Sequence, residues 1–218
     1  MRSRDLHTWD VTPEQAEALQ RALAAELPAP RPLRGLERVA GAAVRGRGDA
    51  LWVAVAVVVL PEMRVLESAA ATGQARFPYR PGLLAAFEQI TSRPDALLFA
   101  GHGAAHPRGL GLASHLGLLL EAPSVGCADR PLIAEGAPPG PNRGDRSRIF
   151  DEHGAAVAAW LRTRPQARPI VVSPGYAMGL DDAIEVALAC STRYRLPEPL
   201  REARRVAGRE KWEVRSEK

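Results

Sequence analysis

The sequence predicts an α/β fold with a mixed central sheet, three antiparallel strands followed by parallel strands, flanked by helices. Two features predict it. The β-rich runs "LERVAGAAV" and "ALWVAVAVVVL" are joined by the glycine-charged turn "RGRGD", which makes an antiparallel hairpin. Beyond the hairpin, strand-like and helix-like segments alternate: "GLLAAFEQITS" sets Leu83, Leu84, Phe87 and Ile90 at helical spacing, "RPDALLFAG" returns to strand, "GLASHLGLLLE" to helix and "APSVGCA" to strand.

Taken in order, the chain opens on an amphipathic helical pattern capped near Thr12, with Pro13 and Glu14 in the first turn. The proline-rich connector "LPAPRPLRG" leads into the hairpin, and Pro61 and Glu62 turn the chain into a third strand, "RVLESAAATGQA". After the strand and helix alternation, "EGAPPGPNRGDRSR" from Glu135 reads as an exposed loop. "AAVAAWLRT" and "PIVVSPGY" then read as strands and "LDDAIEVALACSTRY" as a helix. From Arg201 onward seven basic and four acidic residues form a basic C-terminal tail, read as a solvated helix or a ragged end. No internal repeat is present, and a single domain over 1–218 is expected.

Composition narrows the function. The longest apolar run, from Leu51 to Leu60, is about half of what a membrane span needs, and the N-terminus lacks a signal peptide's apolar core. No membrane partner is expected, and the expected location is the cytoplasm. Cys127 and Cys190 sit in apolar contexts without zinc-ligand spacing and read as reduced core residues. The formal charge is +4, and only Lys211 and Lys218 are lysines. An arginine-rich surface suits nucleic acid, because guanidinium forks phosphate and stacks on bases. A GC-rich coding sequence would produce the same bias.

The stretch "LLFAGHGAAHPRGLGLASHLG" has the build of an active site around a missing centre. Side chains at the carboxyl ends of parallel strands line the ligand crevice, where a catalytic carboxylate is expected, yet the strand ends on Ala100. His102 and His106 lie four apart across a glycine loop, which does not make a zinc pair, and "GHGAAH" lacks the third glycine of a dinucleotide fingerprint. His115, on the following helix, reads as structural.

"FPYRP", "GHGAAHPRGLGLASHLGLLLEAPSVGCA" and "TRYRLPEPLREA", in this order, resemble the endonuclease V family, nucleases that recognise deaminated bases, especially inosine, and cut one strand nearby. The resemblance runs from about Gly35 to Arg205 and implies a ribonuclease H-like fold. It implies magnesium in active relatives, held by an Asp on the first strand, a Glu on the helix after the Pro-Tyr turn and an Asp ending the fourth strand. In this chain Ala43 and Ala100 stand at the two Asp positions. Two alignments compete for the Glu. Counting forward from Tyr79 reaches Glu88; counting backward from Ala100 gives the longer match and leaves the segment with the catalytic Glu absent. The family lysine after the fifth strand is replaced by Asp129, and its histidine after the sixth strand's glycine by Tyr176.

His106 and Asp181 remain as residual catalytic positions. The expected nucleic-acid surface comprises the turn Pro78, Tyr79, Arg80 and Pro81, whose tyrosine the family uses as a wedge, with Gly101, His102 and Gly103 lining a flipped-base pocket and Arg108 contacting phosphate. The favoured reading is a homologue without its metal centre, with no cofactor and with DNA or RNA as partner. A metal site rebuilt from Glu88, Asp129 and Asp181 is the alternative, and a protein-interaction scaffold the third.

Overall fold

The computed structural model describes residues 1–47, 50–74, 80–133 and 136–216, except the side chains of 47, 74, 80, 81 and 209–216. Helix α1 (Pro13–Ala25) starts at Thr12, whose hydroxyl accepts from the Gln15 N–H while the Gln15 side chain accepts from the Thr12 N–H, so two orphan donors are satisfied at once. Strands β1 (Arg38–Arg47) and β2 (Ala50–Val59) pair antiparallel over their full lengths, and β3 (Arg64–Gln74) adds to β2 with a bulge at Val57/Val58. Then follow α2 (Arg80–Glu88), β4 (Ala96–Ala100), α3 (Leu112–Leu120), β5 (Ser124–Ala128), β6 (Arg146–Phe150), β7 (Ala156–Leu161), β8 (Ile170–Pro174), α4 (Leu180–Ala189) and α5 (Glu198–Ser216).

The strands form one eight-stranded sheet in the order β3-β2-β1-β4-β5-β8-β7-β6. This is the expected mixed sheet, but its parallel part is confined to β1, β4 and β5; β8 pairs antiparallel with β5, and β7 and β6 continue antiparallel. The short links between β6, β7 and β8 make these two pairs antiparallel, since a parallel neighbour needs a long crossover. The segment read as a loop from Glu135 contributes Arg146–Arg148 to β6.

One face of the sheet carries α2 and α3. Leu83, Phe87, Leu116 and Leu119 cover Val53, Val55, Leu97 and Phe99, with the Phe87 and Phe99 rings 5.9 Å apart. The other face carries α4 and α5, where Ile184, Ala187 and Leu200 cover Val39, Leu98, Val125 and Val172. The basic stretch from Arg201 is therefore packed helix through Ala207. Leu200, Ala203 and Ala207 are fully buried at three- and four-residue spacing, the apolar stripe that holds a helix to a sheet. Helix α5 lies so close to β1 that a Cβ on Gly41 would collide with the Pro199 carbonyl group. One step along the same face, Ala43 meets Ala56 and Ala203 in a cluster of three methyl groups.

Glu67 on β3 fixes the connection from α2 to β4. Its carboxylate accepts from the Thr91 N–H at 2.8 Å and hydroxyl at 3.0 Å, and from the Ser92 N–H at 3.0 Å and hydroxyl at 2.6 Å. Burial alone would raise its pKa, but these bonds outweigh it and pull the group down to about 2.

Two expectations follow from this packing. Because the folded pKa of Glu67 lies below the unfolded one, its contribution is complete above the unfolded value and is lost as pH falls from about 4.5 towards 2. Glu67→Gln should flatten the fall of the urea midpoint over that window; an unchanged profile would refute the clamp. Ala43→Asp should cost at least about 3 kcal/mol at pH 7, since it puts a carboxylate among methyl groups without a partner. Burial raises the new group's pKa, so urea unfolding at pH 4 should show a smaller penalty than at pH 7.

Candidate functional site

The parallel strands end together. The β1–β4 register runs from Val39 opposite Ala96 to Ala42 opposite Phe99, and its next step sets Ala43 beside Ala100. Ala43 is 2 % exposed, and Ala100 is half-buried against the cluster beneath α4 and α5. The two positions at which the family pattern has aspartates thus lie side by side and offer two methyl groups. Magnesium takes oxygen ligands. These residues do not fit it.

The surrounding carboxylates do not replace them. Asp129 follows β5 and accepts from Arg195 Nη2 at 2.5 Å. That hydrogen bond holds its carboxyl below the usual range against the opposing effect of burial, helped by the positive charges of Arg195, Arg204 and Arg168. Asp181 opens α4, is 68 % exposed, and pairs at 3.4 Å with Arg148 on β6. That strand is the far edge of the sheet in the order β4-β5-β8-β7-β6. Glu88 ends α2 as the chain approaches the start of β4, whereas Ala100 marks its finish, and its Oε1 is 3.5 Å from the Ser3 hydroxyl. Glu88, Asp129 and Asp181 therefore do not converge. Among the described residues no group of three His, Cys, Asp or Glu side chains is placed to hold a metal ion.

The glycine loop after β4 folds back over β5. A Cβ on Gly126 would lie 2.6 Å from the Gly103 nitrogen and 2.7 Å from the Gly101 oxygen, so only glycine allows the loop to lie this low. The Gly101 N–H donates to the carbonyls of Phe99 at 2.9 Å and Cys127 at 3.0 Å, and the Gly103 N–H to the Ser173 hydroxyl at 2.7 Å. The N–H groups of Gly101 and Gly103, two of the three residues expected to line a flipped-base pocket, are thus used internally. His102 is half-buried. Burial pushes its pKa down, against a hydrogen bond with the Arg130 backbone, and its Nδ1 is buried without a partner.

His106 follows the glycine loop. Its Nδ1 accepts from the Arg108 N–H at 3.2 Å, and the residue lines a cleft of about 640 Å³ with Pro107, Leu132, Ile133, Asp151 and His153. Arg108, expected at phosphate, is held by α1 instead: its Nε donates to Gln20 Oε1 at 2.6 Å and its Nη1 lies 3.3 Å from Glu17 Oε1. Arg80 and Pro81 open α2, and Pro78 and Tyr79 lie outside the described residues. His115 is buried with its Nε2 2.8 Å from His7 Nε2. Both cysteines are free and buried; burial pushes the Cys127 thiol up to about 12 and raises Cys190 also, so neither is a ready nucleophile. Sequence reasoning missed Arg195, Arg168 and Arg204, the cations around Asp129. Arg195 stands within the quoted motif "TRYRLPEPLREA", but nothing local in the sequence links it to Asp129.

Comparison with known proteins accords with this geometry. An endonuclease V from Methanothrix thermoacetophila is 45 % identical over 210 residues, covering 92 % of this chain and 93 % of that one. The crystal structure of the endonuclease V of Streptomyces avermitilis superposes with a TM-score of 0.88 at 32 % identity, covering 98 % of this chain and 99 % of the other. The Ciona intestinalis endonuclease V, in complex with a DNA containing an inosine followed by a ribo-adenosine, has the same fold at 20 % identity and a TM-score of 0.79, covering 92 % and 98 % of the two chains. The sheet and helices are those of the ribonuclease H-like fold of these nucleases. Residues 17–205 match the family model for endonuclease V, and with the alignment and the fold in agreement over the same span, the chain belongs to the endonuclease V family.

Proposed function

We propose that this chain is an endonuclease V homologue that has lost the metal-dependent cleavage centre, takes no metal cofactor and acts by binding nucleic acid, as a binding or regulatory protein. The observation that carries the reading is the adjacency of Ala43 and Ala100. Metal-assisted phosphodiester hydrolysis needs carboxylate oxygens to hold the cation that activates water and stabilises the leaving oxygen. A single missing ligand could be replaced from a neighbour. Here both central positions are methyl groups, one of them sealed beneath Ala203, and the nearby Asp129 is engaged by Arg195.

The binding half of the proposal rests on what the chain keeps. The Ciona protein, of the same fold, is held with inosine-containing DNA. In this chain the "PYRP" motif keeps the family tyrosine, with Arg80 in place of a usual apolar residue, the Gly101–Gly103 loop keeps its glycines, and loss of the metal carboxylates removes negative charge that would repel phosphate from an unmetallated site. The loop's contribution is its low shape over Gly126. Arg108 serves by tying the loop to α1.

The purified protein is therefore expected not to nick inosine-containing DNA or RNA with magnesium or manganese. Metal-dependent nicking that survives repurification and disappears on Asp181→Ala would overturn the inactive reading. In fluorescence anisotropy on single-stranded, mismatched and inosine-bearing oligonucleotides, affinity should fall with salt, with a log–log slope of about −0.9 per neutralised phosphate on duplex and about −0.7 on single strands. Tyr79→Ala should weaken binding by roughly 1–3 kcal/mol with the slope unchanged, because lost stacking releases no counterions. If no oligonucleotide binds at low salt, the nucleic-acid reading falls and a scaffold role takes its place.

A further inference from the structure

A second cleft, of about 560 Å³, opens beside the glycine loop at the same end of the sheet as Ala100, lined by Arg130, Pro131, Gly136, Pro138, Trp160, Arg168 and Pro169. From this geometry we infer that it is a nucleotide site, in which Arg130 and Arg168 take the phosphate and the Trp160 indole supports the base. No part of the family pattern set out above falls on Trp160, Arg130 or Arg168. The inference deepens the nucleic-acid reading and rests on it where the nucleotide belongs to a strand.

Three features build the site. The first is its rigidity. Arg162 donates through Nε to the Gly140 carbonyl at 2.8 Å, through Nη2 to the Pro139 carbonyl at 3.0 Å, and through Nη1 to the Ala167 carbonyl, so one guanidinium ties the 136–141 wall to the 167–169 wall. The Ser147 hydroxyl donates to the Ala137 carbonyl, and Arg195 Nη1 to the Pro169 carbonyl at 3.3 Å. The walls are fixed by bonds that do not use the cleft's own arginines.

The second feature is charge. Among the described residues neither the Arg130 nor the Arg168 guanidinium has a hydrogen-bond or ion-pair partner, although the chain carries 25 acidic residues. The nearby carboxylate, Asp129, is hydrogen-bonded by Arg195 and feels the positive charge of Arg168 without forming an ion pair with it. Two guanidiniums on one cleft form the forked donor arrangement that phosphate accepts. The third feature is the half-buried Trp160. Packed on one side against the Ile149 and Val171 cluster, its indole lines the same cleft as the two arginines and offers an apolar aromatic surface such as bases stack on. Phosphate donors and a stacking surface within one cleft of ligand size match a nucleoside phosphate, either free or as one unit of a strand.

The test is titration of the full chain with adenosine monophosphate, and separately with a short single-stranded oligonucleotide. Tryptophan fluorescence is the readout for the first and anisotropy for the second. The variants are Trp160→Phe, which keeps an aromatic wall, the pair Arg130→Gln/Arg168→Gln, and as a control of equal charge loss Arg64→Gln/Arg93→Gln, remote from the cleft. A free-nucleotide site predicts that adenosine monophosphate quenches a signal that Trp160→Phe removes. It also predicts that the Arg130/Arg168 pair weakens binding about tenfold or more while the Arg64/Arg93 pair changes it less than about twofold. A strand-nucleotide site predicts the same contrast for the oligonucleotide alone. If both Gln pairs act alike, or if neither ligand responds to the cleft substitutions, the cleft is not a nucleotide site; an oligonucleotide that still binds then leaves the nucleic-acid reading standing. Adenosine monophosphate bound in the cleft with no oligonucleotide bound anywhere would reverse that outcome.

Discussion

The seating of α5 on β1 is the constraint on which the rest of the molecule depends. In its first turn the helix sets Pro199 hard against Gly41, and it continues over Ala43 and Ala56 with Ala203, a succession of small residues on the way. Close approach of this kind leaves no room for a void or for water, and each methyl group gains contacts on every side. Short side chains let α5 sit low, and with α5 low the neighbouring Leu200 reaches the same cluster as Val39, Leu98 and Val172. The packing around Ala43 thus adjoins the core of that face.

The same economy of space appears at the glycine loop. Gly126 lets the loop descend onto β5, the Ser173 hydroxyl pins the Gly103 N–H, and Pro174 accepts from Ala104 at 2.7 Å. Strand β8 is therefore part of the loop's foundation although it arrives some 70 residues later in the chain. The arginines at this end of the sheet are organised in the same way. Arg195 engages Asp129 across a separation of 66 residues, and Arg162 ties two connecting segments together. Backbone carbonyls at strand ends need donors, and guanidinium supplies several at once.

Most of the fold was legible in the sequence because its signals are local. The β1–β2 hairpin has two β-rich apolar runs around a glycine turn, and the α2 region sets Leu83, Leu84, Phe87 and Ile90 at helical spacing. Strand β6 escaped because only Ile149 of its five residues is buried, which leaves a charged, loop-like composition. The packed half of α5 escaped for a related reason, since its buried stripe is largely alanine and arginines surround it. At the site, the placement of Ala43 and Ala100 was legible through motif wording. Contacts between residues distant in sequence were not: the engagement of Arg108 by α1, the Asp129–Arg195 pair and the His7–His115 contact, 108 residues apart, leave no local pattern.

The charged outer face of β6 has a consequence for the molecule's behaviour in company. A sheet's last strand shows unpaired amide and carbonyl groups to the solvent, and a flat apolar one invites a strand from another molecule. Here that strand is five residues long, interrupted by an irregularity at Ile149/Phe150, and carries Arg146 and Arg148. An approaching copy would have to bring its own guanidiniums against these. The border that the sequence disguised as a loop is in this way protected against edge-to-edge stacking, and the sheet ends at eight strands instead of recruiting a ninth.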